Sequence, residues 1–288
     1  MKTQTGQKKK SEAFRNFRKH KMAMIGLTII VLEILCVLIL PVIFHLDPVA
    51  IDRTAFNQAP GDIHLLGTDE VGRDMFARVV CGGQVSILIG FAATAISVLV
   101  GLPLGLVAGY YRGKAESLIM RTADIFMSFP AMVLILVVVA VFGSEIPIII
   151  LLIGILNWPA IAKLIYGNVL SLRGREFVEA ERAIGSSDLK IIFKTILPNA
   201  IAPLWVALAF RISSAMITES ALSFLGAGVQ PPQASWGNII QAATSLAVLT
   251  KRWWIWIPAG VCLVVTIVCI NFVGEGIRDA LDPKMKRL

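Results

Sequence analysis

Histidine is nearly missing from this chain. His20, His45 and His64 are the only three in 288 residues, and each lies outside or at the edge of an apolar run. An enzyme working inside a membrane needs a nucleophile–base pair or a metal set within its spans, so that class loses its usual residues. Cysteine is almost as scarce. Cys36, Cys262 and Cys269 fall within apolar runs and Cys81 near the edge of one, and no two have metal or redox spacing. They read as small packing residues. No Gly-x-x-x-x-Gly-Lys-Ser/Thr segment occurs, so the loop that cradles nucleotide phosphates is absent. Charge is short too. Asp, Glu, Lys and Arg make up 16% of the sequence, against about a quarter in soluble domains, which argues against an ordinary soluble fold.

What the chain has instead is apolar length. Hydrophobic residues form 56% of it and the mean hydropathy is +0.76. A crossing helix needs roughly 20 apolar residues to span about 30 Å of hydrocarbon. Six segments qualify: Met22–Leu46, Val85–Ala108, Ile125–Phe142, Ile146–Ala162, Ala202–Phe224 and Trp253–Val273. Backbone groups in lipid must be satisfied within the segment, so these are helices and the protein is an all-α membrane protein. The first run is too long for the apolar core of a signal peptide and no small-x-small cleavage site follows it, so it reads as a retained anchor.

The formal charge of +8 reports topology. Basic residues crowd the tail (Lys8, Lys9, Lys10, Arg15, Arg18, Lys19, Lys21) and alternate connections (Arg112, Lys114, Arg121; Lys163, Arg173, Arg175, Arg182, Lys190, Lys194). Arg278, Lys284, Lys286 and Arg287 follow the last span, while the other side carries only Arg53, Arg73, Arg78, Lys251 and Arg252. Cytoplasmic loops of membrane proteins hold the excess of Lys and Arg, which puts both termini in the cytoplasm and makes nucleic acid an unneeded explanation for the charge. Three regions follow: a basic tail at 1–21 with interfacial-helix character, a first span with its extracytoplasmic loop at 22–83, and a core at 84–288.

Local signals refine this plan. Thr68 is placed to cap a helix with Asp69 and Glu70 in its first turn, and Asp69, Glu70 and Asp74 also offer oxygen ligands for a hard cation. Gly101, Gly105 and Gly109 share one helix face and permit close backbone approach, either to another span of this chain or to a partner. Pro130 predicts a kink in a third helix that starts near Ala115, with Arg121 and Asp124 spaced to pair. Pro147 and Pro159 bracket the fourth span. Glycines and prolines in 226–238 end the fifth helix and break the outer loop, and Trp253, Trp254 and Trp256 sit where an interface favours tryptophan.

Between the fourth and fifth spans lies a charged segment, 174–203. Phe177, Ala180, Ala183 and Ile184 recur at helical spacing, Gly185 is a natural stop, and Ser186 or Ser187 can cap a second helix from Asp188 to Ile196 that Leu197-Pro198 should end. Glu179, Ala180, Gly185, Leu197 and Pro198, in that spacing, resemble the "EAA" loop of binding-protein-dependent ABC importer permeases. Glu181 stands where that signature has a second alanine, and its side chain is expected to face solvent or a partner. The phrases "LGTDEVGRD", "LSLRGREFVEAERAIG" and "ALSFLGAGVQPP…SWGN" are similar to the peptide and nickel branch, so the resemblance runs from about Asp62 to Pro283.

The resemblance implies the type I importer permease fold: six transmembrane helices, cytoplasmic termini, and cytoplasmic coupling helices between the fourth and fifth. It implies a non-enzymatic subunit without cofactor or metal of its own. The subunit would sit in membrane lipid as a heterodimer with a second permease, served by two cytoplasmic ATP-binding subunits and an extracytoplasmic peptide-binding protein. Coupling to the ATPases would fall to Glu179, Ala180, Glu181, Gly185, Leu197 and Pro198. Di- or oligopeptides are the implied cargo, with nickel or another small solute as the alternative.

Three ionisable residues fall within spans: Glu33, Arg211 and Glu219. A charge at mid-membrane costs at least roughly 2.5–3.5 kcal/mol, so each should face protein or water. Glu33 reads as packed or snorkelling. Arg211 lies about 20 Å up the fifth helix from Pro198 at 1.5 Å per residue, and about 12 Å from Glu219, too far for a direct pair. Arg211 and Glu219 are therefore candidates either to line a translocation path or to form fixed contacts. A secondary transporter, the remaining rival, predicts matching halves and ion-coupling carboxylates at broken helices, and no internal symmetry is visible.

Overall fold

The structure, a computed structural model, describes residues 15–281. Within them the chain is helical, and its only β pairing is two isolated bridges, Ile51 to Arg73 and Thr68 to Asp74. Four helices are long and apolar enough to cross a membrane: α1 (Lys21–Ile43), α2 (Met75–Tyr111), α5 (Ile146–Arg173) and α11 (Trp253–Leu281). Two bent pairs are apolar enough together to count as further crossings. In one, α3 (Gly113–Ser128) meets α4 (Ala131–Phe142) at 81°; in the other, α7 (Asp188–Ala200) meets α8 (Ala202–Phe224) at 61°. The six expected spans are reached when each bent pair counts as one. Of the interfacial helix expected in the tail, residues 15–19 are helical and 1–14 lie outside the described residues.

The first bent pair differs from expectation in degree. Phe129 is extended (φ −95°, ψ 141°), as a residue before proline prefers, and the helix breaks there instead of kinking. Only α4 is strongly apolar; α3 has one polar face. That face explains a second difference: Asp124 pairs not with Arg121 but with Lys163 on α5, at 2.5 Å. Tyr166 of α5 also donates to Glu116 of α3.

The seam between α2 and α5 is the most extensive helix contact, and it settles the role of the glycine row. A methyl on Gly101 would sit 2.6 Å from the Trp158 carbonyl oxygen, one on Gly105 2.6 Å from that of Ala162, and one on Gly109 2.7 Å from Val169 Cβ. The row is an internal packing face. Helix α1 rests on α11, with Gly26 against the Cys269 backbone, while Leu32, Leu35, Leu38 and Ile39 on its other faces stay exposed as a lipid-facing surface would.

The segment before α2 is a folded loop, not a helix capped by Thr68. Thr68 is fully buried and donates to the Ala55 carbonyl. The α2 cap is Asp74, whose carboxylate accepts from Ala77 N at 2.8 Å. Asp69 closes the turn ahead of it, accepting from the backbone N–H of Val71 and Arg73 and from the Arg73 side chain at 2.7 Å. Because Arg73 takes Asp69, and the helix start and His64 take Asp74, only exposed Glu70 of the three carboxylates is left uncommitted among the described residues. Among the described residues no group of three or more His, Cys, Asp or Glu side chains is arranged to hold a metal. Asp52 reaches His64 from the other side at 3.7 Å, and hydrogen bonds from the Thr54 hydroxyl and N–H hold the Asp52 carboxyl below the usual carboxylate range.

Candidate functional site: a tethered helix pair and a serine-lined carboxylate

At one end of the bundle α6 (Glu176–Ala183) and α7 form a helix–turn–helix. Its turn is fixed by sequence. Gly185 takes φ +77°, a conformation that glycine alone adopts without strain. The Gly185 N–H bonds the Arg182 carbonyl at 2.9 Å and the Ser186 N–H bonds that of Glu181 at 3.1 Å, the paired reversal that closes a helix on a left-handed residue. Ser187 precedes α7 in extended conformation without a side-chain cap. Glu181, its side chain 26% exposed, keeps a surface toward solvent while it bonds across the turn. It accepts from the Ser186 hydroxyl at 2.7 Å, and Lys190 lies 3.9 Å from it, so the departure from the double-alanine pattern locks the two helices together.

Leu197-Pro198 does not end the second helix either. The helix continues to Ala200, and the chain turns at Ile201. Pro198 cannot donate to the carbonyl four residues back, and a wider turn helps a helix accommodate that. Ile191–Ile196 is such a π-helical stretch, with Leu197 N–H bonding the Ile192 carbonyl five residues back.

The pair is anchored to the bundle at two levels. Val178, Ile191, Ile192, Ile196 and Ala200 are buried against Leu106 and Val169. Above them Tyr110, near the end of α2, donates its hydroxyl to Asp188 of α7 at 2.6 Å, and the Arg182 guanidinium of α6 stacks over its ring at 5.2 Å. One side chain thus holds both helices. On the side left uncovered, Phe177, Ile184, Leu189 and Phe193 are 43%, 75%, 64% and 57% exposed. Ala180 and Pro198 are exposed as well, Glu179 is exposed toward the side of α6 that carries Arg182, and Leu197 is half-buried. Large apolar side chains held outward on a rigid support, next to charged neighbours, make a surface suited to a protein partner.

At the opposite end, Glu219 of α8 is fully buried among serines. Its Oε1 accepts from Ser223 and Ser235, both at 2.8 Å, and its Oε2 from Ser86 and Ser220 at 3.4 Å. Three of these hydroxyls in turn accept backbone N–H groups: Ser86 from Trp236, Ser223 from Val229 and Ser235 from Asn238. The carboxylate therefore organises the return segment through its serines. That segment includes α9 (Trp236–Gln241), started by a reciprocal Ser235–Asn238 cap. Trp236, fully buried, donates its indole N–H to the Val79 carbonyl at 2.9 Å. The short helix α10 (Leu246–Lys251) then leads to α11.

Arg211 stands apart, half-buried on α8, with its guanidinium 3.4 Å from the Asn157 side-chain oxygen of α5. The structure thus separates the two candidate path residues: Glu219 is enclosed by protein, and Arg211 borders a small gap near Thr94, Ser97 and Asn157. Glu33, near Thr266 and Cys262 of α11, keeps one carboxylate oxygen buried without a partner. The serine set escaped sequence reasoning because Ser86 and Ser235 are far from Glu219 in sequence; the signal that existed was Ser220 and Ser223 one and four residues after a membrane carboxylate.

Four long apolar helices and two bent pairs, one of which carries α7 of the tethered helix pair, define a membrane-spanning component. Comparisons sharpen that class. Residues 101–287 match the family described as binding-protein-dependent transport system inner membrane component, and residues 11–60 match the N-terminal transmembrane domain of oligopeptide transport permease C. The chain is 38% identical over 268 residues to a Brucella suis protein named as a peptide permease, covering 93% of this chain and 89% of that one. It is 37% identical to the glutathione transport system permease protein GsiD of Pectobacterium atrosepticum, over 82% of this chain and 77% of the relative. The fold is similar to that of the MetNI methionine ABC transporter in an inward-facing form, at TM-score 0.58 and 19% identity, covering 72% of this chain and 98% of that one. The chain belongs to the family of binding-protein-dependent transport system inner membrane components. It is a multi-pass inner-membrane subunit that relies on partner proteins for ATP hydrolysis and substrate capture.

Proposed function

We propose that this chain is one half of the translocation unit of a peptide importer. It would pair with a second permease, with two ATP-binding subunits docked at the cytoplasmic end and a peptide-binding protein at the other. The observation that carries the reading is the exposed row Phe177, Ile184, Leu189 and Phe193 on helices locked by Tyr110 and Glu181. A lever must be stiff where it meets the bundle and adhesive where it meets the motor. This pair has both properties, and it contains the residues Glu179, Ala180, Gly185, Leu197 and Pro198 of the coupling signature.

Peptide is favoured over nickel because the relatives are named for peptide and for glutathione, itself a tripeptide. Arg211 is retained as the path candidate, whereas Glu219 is assigned to holding the outer return segment. The test is co-purification. Phe193→Asp should lose the ATP-binding subunits while the two permeases still co-purify; a complete complex carrying that substitution would refute the docking surface.

A further inference from the structure

A second feature lies on the opposite side of the coupling pair, facing the bundle. Arg112, just past the end of α2, Arg173, the last residue of α5, and Arg182 of α6 line one cavity of about 330 Å³ with Leu170, Gly174 and Glu179. Three guanidinium groups face a single carboxylate there. Their partners within the protein are few. Among the described residues, Arg112 pairs with Glu116 at 3.7 Å, Arg182 stacks on the Tyr110 ring whose hydroxyl bonds Asp188, and the Arg173 Nε is buried with no hydrogen-bond acceptor. The backbone at Arg112 is at φ 59°, where an L-residue is seldom found without a constraint. Cations at helix C-termini are favoured by the helix dipole, which explains one arginine on each of α2 and α5. It does not explain three converging on one cavity, with the Nε of Arg173 buried and unpaired among the described residues.

We infer that this cavity binds a phosphate group. Arginine forks match phosphate oxygens in pairs, and basic pockets between membrane helices on the cytoplasmic side are suited to lipid head groups. Two sources share that chemistry: the head group of an inner-leaflet phospholipid and soluble phosphate. The lipid is favoured by Leu170, a cavity-lining residue 37% exposed one turn before Arg173, which offers an apolar wall on the membrane side of the arginines. Of the coupling residues only Glu179 reaches this cavity; the proposed apolar contact row, Phe177 and Ile184, lies on the other side of α6 from Val178 and Arg182, so the ATPase is a poor occupant. Assignment to the inner leaflet rests on the topology proposed above; the binding itself does not.

The test uses the assembled transporter in mild detergent, with bound lipid identified by native mass spectrometry. The wild-type complex should retain an anionic phospholipid. Arg112→Gln with Arg173→Gln should lose it, with affinity for added phosphatidylglycerol weakened by about a hundredfold or more, the scale of two lost charged hydrogen bonds. Arg173→Lys should retain part of the binding, and Lys114→Gln, a charge removed outside the cavity, all of it. In a complex stripped of lipid, inorganic phosphate that protects residues 170–182 from hydrogen exchange in the wild type but not the double variant would support the phosphate site and assign it to the soluble source. Equal lipid retention by wild type and double variant, with no phosphate protection, would overturn the inference. The amount of ATP-binding subunit in each preparation separates this result from a failure of the docking surface.

Discussion

Tyr110 and Asp188 lie 78 positions apart in sequence and are joined by a 2.6 Å hydrogen bond from the tyrosine hydroxyl to the carboxylate. The bond ties the end of α2 to the start of α7, and with Arg182 stacked on the same ring it makes the coupling pair move with the bundle. Tyr110→Phe should keep the ring and its packing while removing one hydrogen bond to a charged group, worth about 1.5–3 kcal/mol. Hydrogen exchange should rise in 188–196, and peptide-stimulated ATP hydrolysis should fall with little change in complex yield.

Glu219 makes a separate prediction. An amide at this position can accept through one oxygen only, so two of the four serine hydroxyls that now point at the carboxylate lose their acceptor. Glu219→Gln should destabilise the permease by about 1–3 kcal/mol and loosen the return segment 229–241. Exchange mass spectrometry would detect the loosening. Transport should fall in parallel, through lost response to the binding protein.

The α2–α5 seam should resist even one added methyl group. Gly105→Ala places Cβ 2.6 Å from a backbone oxygen, where no side chain can move aside, and overpacking of this kind costs about 1–3 kcal/mol. Gly167→Ala on α5 meets nothing within 4 Å and should be tolerated. Thermal denaturation of the two purified variants compares them directly.

Gly185→Val should act locally. A β-branched residue at φ +77° is strained by about 1–3 kcal/mol, so the turn between α6 and α7 should reopen. Binding of the ATP-binding subunits should weaken while the melting temperature of the transmembrane bundle stays close to that of the wild type.

Much of the bundle was legible because lipid enforces a simple code: apolar runs become helices, and clustered Lys and Arg mark one side. The 81° break at Phe129–Pro130 was read too mildly, since a proline signals a bend but its size depends on what α3 packs against. Asp124 found Lys163 on α5 instead of its helix neighbour Arg121 for the same reason. The bond between Glu181 and Ser186 follows from the reversal at Gly185, a consequence of the turn that helical periodicity does not contain. The glycine row fitted two partners equally well in sequence; the choice of α5 is a tertiary fact. At the outer end, Thr68 had the composition of a helix cap, yet the fold gives the cap to Asp74.

The central claim is that the exposed apolar row on α6 and α7 meets the ATP-binding subunits, and the most direct measurement is site-specific photo-crosslinking in the assembled transporter. A photoreactive residue at Ile184 or Leu189 should trap an ATP-binding subunit, with a yield that changes when ATP is added. The same probe at Leu35, an exposed apolar residue of α1, should not. Crosslinking of the ATP-binding subunit from Leu35 but not from Ile184 or Leu189 would contradict the account.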